Sequence, residues 1–151
     1  MVSATLRSPA FQRAYVDKYL KTYAIVDHWE KARVEKEQSE QTQHGLSLFL
    51  LTKTHSASWN DLRLPAGKWR LSLLDGEGRE VQADRVDTLS TRQAVEQTLL
   101  GEPTDAFIKL WSVHFPSNAS DGQPFPAPGT RKISLRVAGP LGQTELLWLL
   151  Q

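Results

Sequence analysis

The spacing of apolar residues changes at Gly45, and this change constrains the fold more than any other feature of the sequence. Before it, aromatic residues recur every four positions from Phe11 to Tyr23, which is the spacing of an amphipathic helix. After it, apolar and polar residues alternate, as in half-buried β-strands. The chain is therefore expected to join a helical front to a β-rich remainder.

The first 43 residues predict a short strand followed by two helices. Val2–Leu6 is short, alternating and partly β-branched, which favours an edge strand. Ser8 before Pro9 is typical of a helix N-cap and first helical position. A second capping signal at Asp27 indicates that the first helix breaks near this residue and that a second runs to about Gln43.

Six or seven short strands follow, separated by turns rich in glycine and proline. This pattern predicts an Ig-like antiparallel β-sandwich, with a hairpin turn at Asp75–Gly78 and one short helix near residues 91–100. Residues 1–43 and 44–151 are expected to form a single domain, since 151 residues suit one core. The predicted strands are residues 46–54, 68–74, 79–86, 107–115, 131–138 and 143–150.

Two of these strands are apolar on both faces, so each needs cover on its outer face. They contain Leu46–Leu51 and Leu146–Leu150. The aromatic stripe of the front helices, which Trp29 continues, is the expected cover. We therefore expect both helices to pack on the one sheet that holds these two strands.

Composition excludes several classes of function. With no cysteine in the chain, disulfides, thiolate metal sites and cysteine nucleophiles are absent. Lys and Arg number 18 against 17 Asp and Glu, so the basic excess typical of nucleic-acid binding is missing. Apolar runs are far shorter than the ~20 residues that span a bilayer, and Met1–Arg13 shows no signal peptide.

Six stretches at a strand–helix junction, in turns and in strand cores carry a family likeness: Ala4–Phe11, Trp59–Leu62, Trp69–Leu71, Asp75–Gly78, Ala138–Gly142 and Leu146–Trp148. In these stretches the chain resembles a family of uncharacterised bacterial envelope proteins, often predicted lipoproteins. The resemblance implies a helix-plus-sandwich fold and a periplasmic or envelope-attached location, with a cytoplasmic location as the alternative because no signal peptide is visible. It implies no catalytic residue.

No motif predicts an enzyme, a cofactor or a metal site. The four histidines have no metal-ligand spacing, and no Gly-x-Ser-x-Gly elbow occurs. We therefore expect a non-catalytic protein that uses no cofactor. The alternative is a hydrolase whose site forms only in three dimensions, from His55 or His114 with Asp61 or Asp105.

The expected function is binding or assembly through contact with another protein, and two segments are candidates for that contact. Trp59 lies in a polar loop beside Asn60 and Asp61; it could bind a partner or cover the end of the sandwich. An exposed tryptophan could also stack on a sugar, so a carbohydrate-binding module is an alternative function.

The second segment is the long loop from Pro116 to Thr130. Phe125 is its large apolar residue, held between Pro124 and Pro126. Rigid sandwiches commonly bind through such loops, and prolines lower the entropy lost on docking. Phe125 is thus a candidate anchor, and the alternative is that its ring folds back on the core.

Overall fold

A computed structural model describes residues 1–40, 43–89 and 107–150 of the chain. These residues form eight strands and two α-helices. The predicted short helix at residues 91–100 lies outside the described residues. In chain order the elements are β1 (Val2–Leu6), α1 (Pro9–Thr22), α2 (His28–Glu40), β2 (Gly45–Lys53), β3 (Arg70–Asp75), β4 (Glu80–Gln82), β5 (Arg85–Thr88), β6 (Ile108–Pro116), β7 (Lys132–Gly139) and β8 (Gly142–Leu149).

The strands form two four-stranded antiparallel sheets, and the core lies between them. The first sheet has the order β1-β2-β6-β5 and the second has the order β4-β3-β7-β8. Leu50 and Trp111 of the first sheet pack in one cluster with Leu73 and Leu135 of the second. The prediction of a mainly β fold built from antiparallel sheets is confirmed.

One predicted strand, residues 79–86, is wrong because the chain changes sheets within it. β4 belongs to the second sheet and β5 to the first. Between them, the Ala83 N–H donates to the Leu71 carbonyl at 3.0 Å, and the Asp84 N–H donates to the His114 carbonyl at 3.1 Å. The alternation continues through this crossing, so the sequence pattern does not reveal it.

Both helices begin where their capping residues predict. The Ser8 hydroxyl accepts a hydrogen bond from the Phe11 N–H at 3.2 Å. The Asp27 carboxylate accepts one from the Trp29 N–H at 3.1 Å. Each cap satisfies a backbone donor that the first turn of a helix leaves unpaired.

Helix α1 ends in a Schellman motif that places alanine in the left-handed region. The Ile25 N–H donates to the Leu20 carbonyl at 2.9 Å, and the Ala24 N–H donates to the Lys21 carbonyl at 3.3 Å. Ala24 has a φ of 51°, a conformation that glycine adopts without steric penalty. This turn reverses the chain into α2.

The two helices form what we call the helical hairpin, whose base lies on the outer face of the first sheet. The Phe11 ring is 5.8 Å from the Phe49 ring of β2, and the Arg7 guanidinium lies 4.8 Å from the same ring. Arg7 also donates to the Gln38 side chain of α2. The hairpin therefore covers the outer face of β2, as expected.

The expected cover of Leu146–Leu150 is wrong. β8 lies in the second sheet beside β7, whereas β2 lies in the first. The tight turn from Gly139 to Gly142 keeps β8 next to β7, so the helical hairpin does not reach it. On the outer face, Leu147 is 54% exposed and Leu149 is 77% exposed.

The expected packing of Trp29 on the sheet is also wrong. Trp29 lies in the first turn of α2 and is 82% exposed. The buried side chain of α2 is Val34, which lies further along the helix toward the base. Trp29 therefore belongs to the hairpin tip, which we define as Tyr23–Trp29.

Candidate functional site

The predicted contact residue Asn60 is fully buried. Its amide group donates to the backbone carbonyls of Thr52 at 3.0 Å and Phe107 at 2.8 Å. Its carbonyl oxygen accepts from the Thr52 hydroxyl at 2.5 Å, and the same hydroxyl accepts from the Trp111 indole at 2.9 Å. Asn60 thus joins the loop between β2 and β3 to the first sheet and does not face a partner.

Trp59 and Asp61, on either side of this residue, are partly exposed but engaged within their own loop. The Lys68 ammonium lies 4.5 Å from the centre of the Trp59 ring, and the Trp59 carbonyl accepts from the Trp69 indole at 2.6 Å. Asp61 accepts from the Arg63 guanidinium at 2.6 and 2.8 Å. This hydrogen-bonded pair lowers the pKa of Asp61 to about 2.

An open cleft of about 310 Å³ lies beside Asn60, between the end of β2 and the turn that joins β7 to β8. Apolar Leu62 and Val137 and polar Thr54 and His55 contribute to its walls. This volume is at the lower end of the range of small-molecule sites. Because the Asn60 side chain is already bonded to protein atoms, it is not a group that would orient a ligand in the cleft.

The predicted anchor Phe125 lies in the core and not on the surface. Its side chain is 4% exposed and belongs to the cluster between the two sheets. The Phe125 N–H donates to the Ser117 carbonyl at 2.7 Å, which turns the loop inward. Pro124 and Pro126 therefore flank a buried residue, and the arrangement in which the ring folds back on the core is the one that forms.

Asp75 holds this loop in place. Its buried carboxylate accepts from the backbone N–H groups of Glu77 at 3.0 Å, Arg79 at 2.9 Å and Ala127 at 3.2 Å, and from the Arg79 guanidinium at 2.9 Å. Burial raises the pKa of Asp75, but these donors together lower it below its ordinary value. One carboxylate thus closes the expected hairpin turn and binds the Phe125 loop to it.

A second cleft, of about 280 Å³, lies at the outer face of the first sheet. It is lined by Glu40, His44, Asp84, Arg85 and His114. The His114 ring nitrogen Nδ1 is 2.6 Å from an Asp84 carboxylate oxygen. A carboxylate in this position orients the imidazole ring.

This pair meets one requirement of the hydrolase alternative. The carboxylate comes from Asp84 rather than from Asp61, while Asp105 lies outside the described residues. His55 lies in the other cleft. In the described part of the chain, no group of three His, Asp or Glu residues could hold a metal ion. A His–Asp pair orients a base, but hydrolysis also needs an activated nucleophile beside it.

The hairpin tip carries the most exposed apolar side chains of the helical part. Val26 is 98% exposed and Trp29 is 82% exposed, and Tyr23 in the same segment is also exposed. The Tyr23 ring lies 4.7 Å from the Tyr19 ring. The aromatic side chains therefore change from buried at Tyr15, within α1, to exposed at Tyr23, which caps the end of this helix.

Sequence reasoning missed the tip because it treated Trp29 as part of one continuous apolar stripe. A signal against that interpretation was available. After Trp29, the sequence of α2 has Val34 as its large aliphatic residue and is otherwise mostly charged. A helix with so narrow an apolar face buries little apolar surface, and this favours exposure of the side chains in its first turn.

Comparison of the chain with protein-family models, curated proteins and solved structures found no match. Among the described helices, none combines the length and the apolar character needed to cross a membrane.

Proposed function

We propose that this chain is a non-catalytic, envelope-associated binding or assembly module that acts through protein–protein contact at the hairpin tip. The observation that carries the proposal is the exposure of Trp29, Val26 and Tyr23 within one seven-residue segment, the hairpin tip. Tryptophan and tyrosine are enriched among the residues that dominate binding energy at protein interfaces. Adjacent exposed apolar side chains in a soluble domain commonly mark such contacts.

The packing of the helical hairpin on the first sheet supports this role. Phe11 packs on Phe49, and Arg7 links the sheet to Gln38 of α2. Val34 of α2 is buried as well. A tip on a fixed helix pair loses little conformational freedom on docking, so more of its apolar contact energy becomes affinity.

The charges around the tip are balanced. Asp17 pairs with Lys21 at 3.8 Å, and Glu30 pairs with Arg33 at 3.6 Å. A contact of this kind has an apolar centre and a polar rim without a single-sign field. We therefore expect its association rate to depend weakly on salt concentration, in contrast to electrostatically steered binding.

Two finer parts of the proposal concern the location of the protein and the type of its sandwich. The envelope location rests on the family resemblance, and fractionation of cells that express the full gene product tests it. The Ig-like assignment rests on two facing antiparallel sheets between which the chain crosses repeatedly, as at β2 to β3 and β4 to β5. Recovery of the protein in the cytoplasmic fraction would refute the envelope location.

Site-specific photo-crosslinking in cells tests the contact directly. A photoreactive residue replaces Trp29 in one variant and Glu37 in a matched control, because Glu37 is an exposed residue of the same helix. We expect a discrete protein adduct from position 29 and none from position 37. Identical adducts from both positions, or no protein adduct, would refute the tip as the contact surface.

Once the crosslinked partner is purified, Trp29→Ala gives the energetic test. We expect the affinity to fall by about 30-fold or more, the effect of losing a residue worth about 2 kcal/mol at an interface. The melting temperature should not change, because Trp29 is mostly exposed. A lower melting temperature with unchanged affinity would instead give Trp29 a role in packing.

The carbohydrate and hydrolase alternatives each have a separate test. A sugar platform usually needs exposed aromatic rings, and Trp59 is partly covered by Lys68. Binding of Trp29→Ala and wild type to a glycan array would separate a sugar ligand from a protein. The Asp84–His114 pair favours the hydrolase, and ester hydrolysis that is lost in His114→Ala would support it.

A further inference from the structure

β8 is an edge strand that lacks the features by which proteins usually protect an edge. It is eight residues long, whereas the edge strands β1, β4 and β5 have five, three and four residues. β8 contains no proline, and in the described part of the chain β7 is its pairing partner. A long unprotected edge is a template for pairing with another strand.

The second half of this strand is apolar on both faces. Leu147 and Leu149 are exposed on the outer face, while Leu146 and Trp148 are half-buried toward the core. Glu145 is the one charged residue of β8, and it already interacts with Arg136 at 3.6 Å. From Leu146 onward the edge therefore offers a pairing strand an apolar surface without charge.

The backbone groups of this half point in known directions. The Leu150 N–H donates to the Arg131 carbonyl at 2.8 Å, so Leu150 bonds toward β7. In an antiparallel pair, hydrogen-bonded and non-hydrogen-bonded residues alternate. Leu146 and Trp148 consequently bond toward β7, and the N–H and C=O groups of Leu147 and Leu149 point toward the open edge.

We infer that the occupant of this edge is a second copy of the chain, whose β8 pairs antiparallel with the first across a two-fold axis at Trp148. In this register Leu147 lies opposite Leu149 of the second copy, and Leu149 lies opposite its Leu147. Each of these pairs exchanges two backbone hydrogen bonds. The two sheets join into one continuous sheet, and this isologous contact closes without forming a fibre.

Self-complementarity favours a second copy over an unrelated strand. An incoming strand must present apolar residues opposite Leu147 and Leu149, and β8 itself has these at the required two-residue spacing. Shifting the axis to Leu147 would place Glu145 opposite Leu149, so the two leucine–leucine pairs would be replaced by two leucine–glutamate pairs, which stabilise a sheet less. The axis at Trp148 also places the two Trp148 rings side by side as a cross-strand aromatic pair.

The contact is small, so the dimer should dissociate on dilution. Residues 146–150 of each copy overlap over about 17 Å. A contact of this size belongs to the class of small, transient interfaces. Sedimentation equilibrium over protein concentrations from about 10 µM to about 1 mM covers the weak range expected of such an interface. This inference concerns a different surface from the hairpin tip and does not depend on the tip binding a partner.

A matched pair of proline variants tests the backbone pairing. Leu147→Pro removes an N–H that points to the open edge and is inside the overlap, while Gln143→Pro removes one that points the same way but lies outside it. We expect the first variant to remain monomeric and the second to dimerise like the wild type, both with wild-type far-UV circular dichroism. A monomeric wild type at the highest concentration, or dimerisation of Leu147→Pro, would overturn the inference.

Cysteine crosslinking tests the register even if a proline variant fails to fold. The chain has no cysteine, so Leu147→Cys and Leu149→Cys each introduce a single thiol. Directly opposed residues have Cα atoms about 5.5 Å apart, within the range of a disulfide. We expect a mixture of the two variants to form disulfide-linked dimers faster than either variant alone. Equal rates in all three samples would overturn the proposed register.

Discussion

Replacing Asp75 with asparagine should destabilise the protein, because one buried oxygen that accepts hydrogen bonds is replaced by an NH₂ group that cannot. The Asp75 oxygen Oδ2 accepts from both the Arg79 guanidinium and the Ala127 N–H. In Asp75→Asn an NH₂ group faces these two donors. If the amide is flipped, its NH₂ group instead faces the backbone N–H groups of Glu77 and Arg79. The Ala127 N–H is buried, and leaving it unpaired costs about 1–3 kcal/mol.

The Arg79 side chain is 24% exposed, although its Nη2 atom is buried, so the hydrogen bond lost from its Nε contributes less than that of a fully buried donor. We therefore expect Asp75→Asn to lower the free energy of unfolding by about 2–4 kcal/mol at neutral pH. Urea unfolding followed by tryptophan fluorescence measures this, because Trp111 lies in the core beside the second sheet.

The loss of stability caused by Asp75→Asn should decrease as the pH falls. The folded-state pKa of Asp75 is lowered, so its contribution is fully present above the unfolded pKa of about 3.9 and is lost as pH falls through the folded pKa. The amide of the variant does not titrate. The stability difference between wild type and Asp75→Asn should therefore shrink below about pH 4.

Glu77→Gln is the matched control, because Glu77 is an exposed carboxylate of the same turn and lies 4.0 Å from Arg79. We expect it to change stability by less than about 0.5 kcal/mol. A difference between wild type and Asp75→Asn that stays constant to about pH 3, or that is below about 0.5 kcal/mol at neutral pH, would refute the electrostatic account.

Three further substitutions test other parts of the structure. Phe125→Ala should destabilise by about 3–5 kcal/mol in urea unfolding, because it removes a buried ring; an unchanged stability would mean that the ring is not in the core. Asn60→Ala should cost about 2–4 kcal/mol, because two backbone carbonyls and the Thr52 hydroxyl lose their partner; a neutral effect would show that water replaces the amide. Ala24→Gly should raise the free energy of unfolding by about 0.5–1 kcal/mol, since relief of the left-handed strain exceeds the entropy that glycine adds to the unfolded chain; a lower melting temperature would contradict the Schellman geometry.

Local signals predicted much of the architecture. Ser8 and Asp27 begin the helices because their side chains bond to N–H groups only two or three residues away. The β-hairpin turn at Asp75–Gly78 likewise depends on bonds between residues close together in the chain. Each of these features depends on neighbours in the chain, so a short stretch of sequence contains the information that specifies it.

The candidate contact residues were harder to assign because their surroundings come from distant parts of the chain. Asn60 in a polar loop gives no sign that it bonds to Phe107, 47 residues away. Phe125 between prolines fits an exposed anchor as well as a buried one, and the bond from Ala127 to Asp75, 52 residues away, is part of what holds its loop. The sequence left both arrangements open for Phe125.

By itself, the sequence determined the order of helices and strands in the described residues, apart from the division of residues 79–86 between β4 and β5, because periodicity reports which side chains share a face. Tertiary structure alone decided what lies against each face. Leu46–Leu51 and Leu146–Leu150 look alike as apolar segments, yet the helical hairpin covers the first while the outer face of the second is open. The difference arises because β2 and β8 pair into different sheets, and such pairing depends on contacts between residues far apart in the chain.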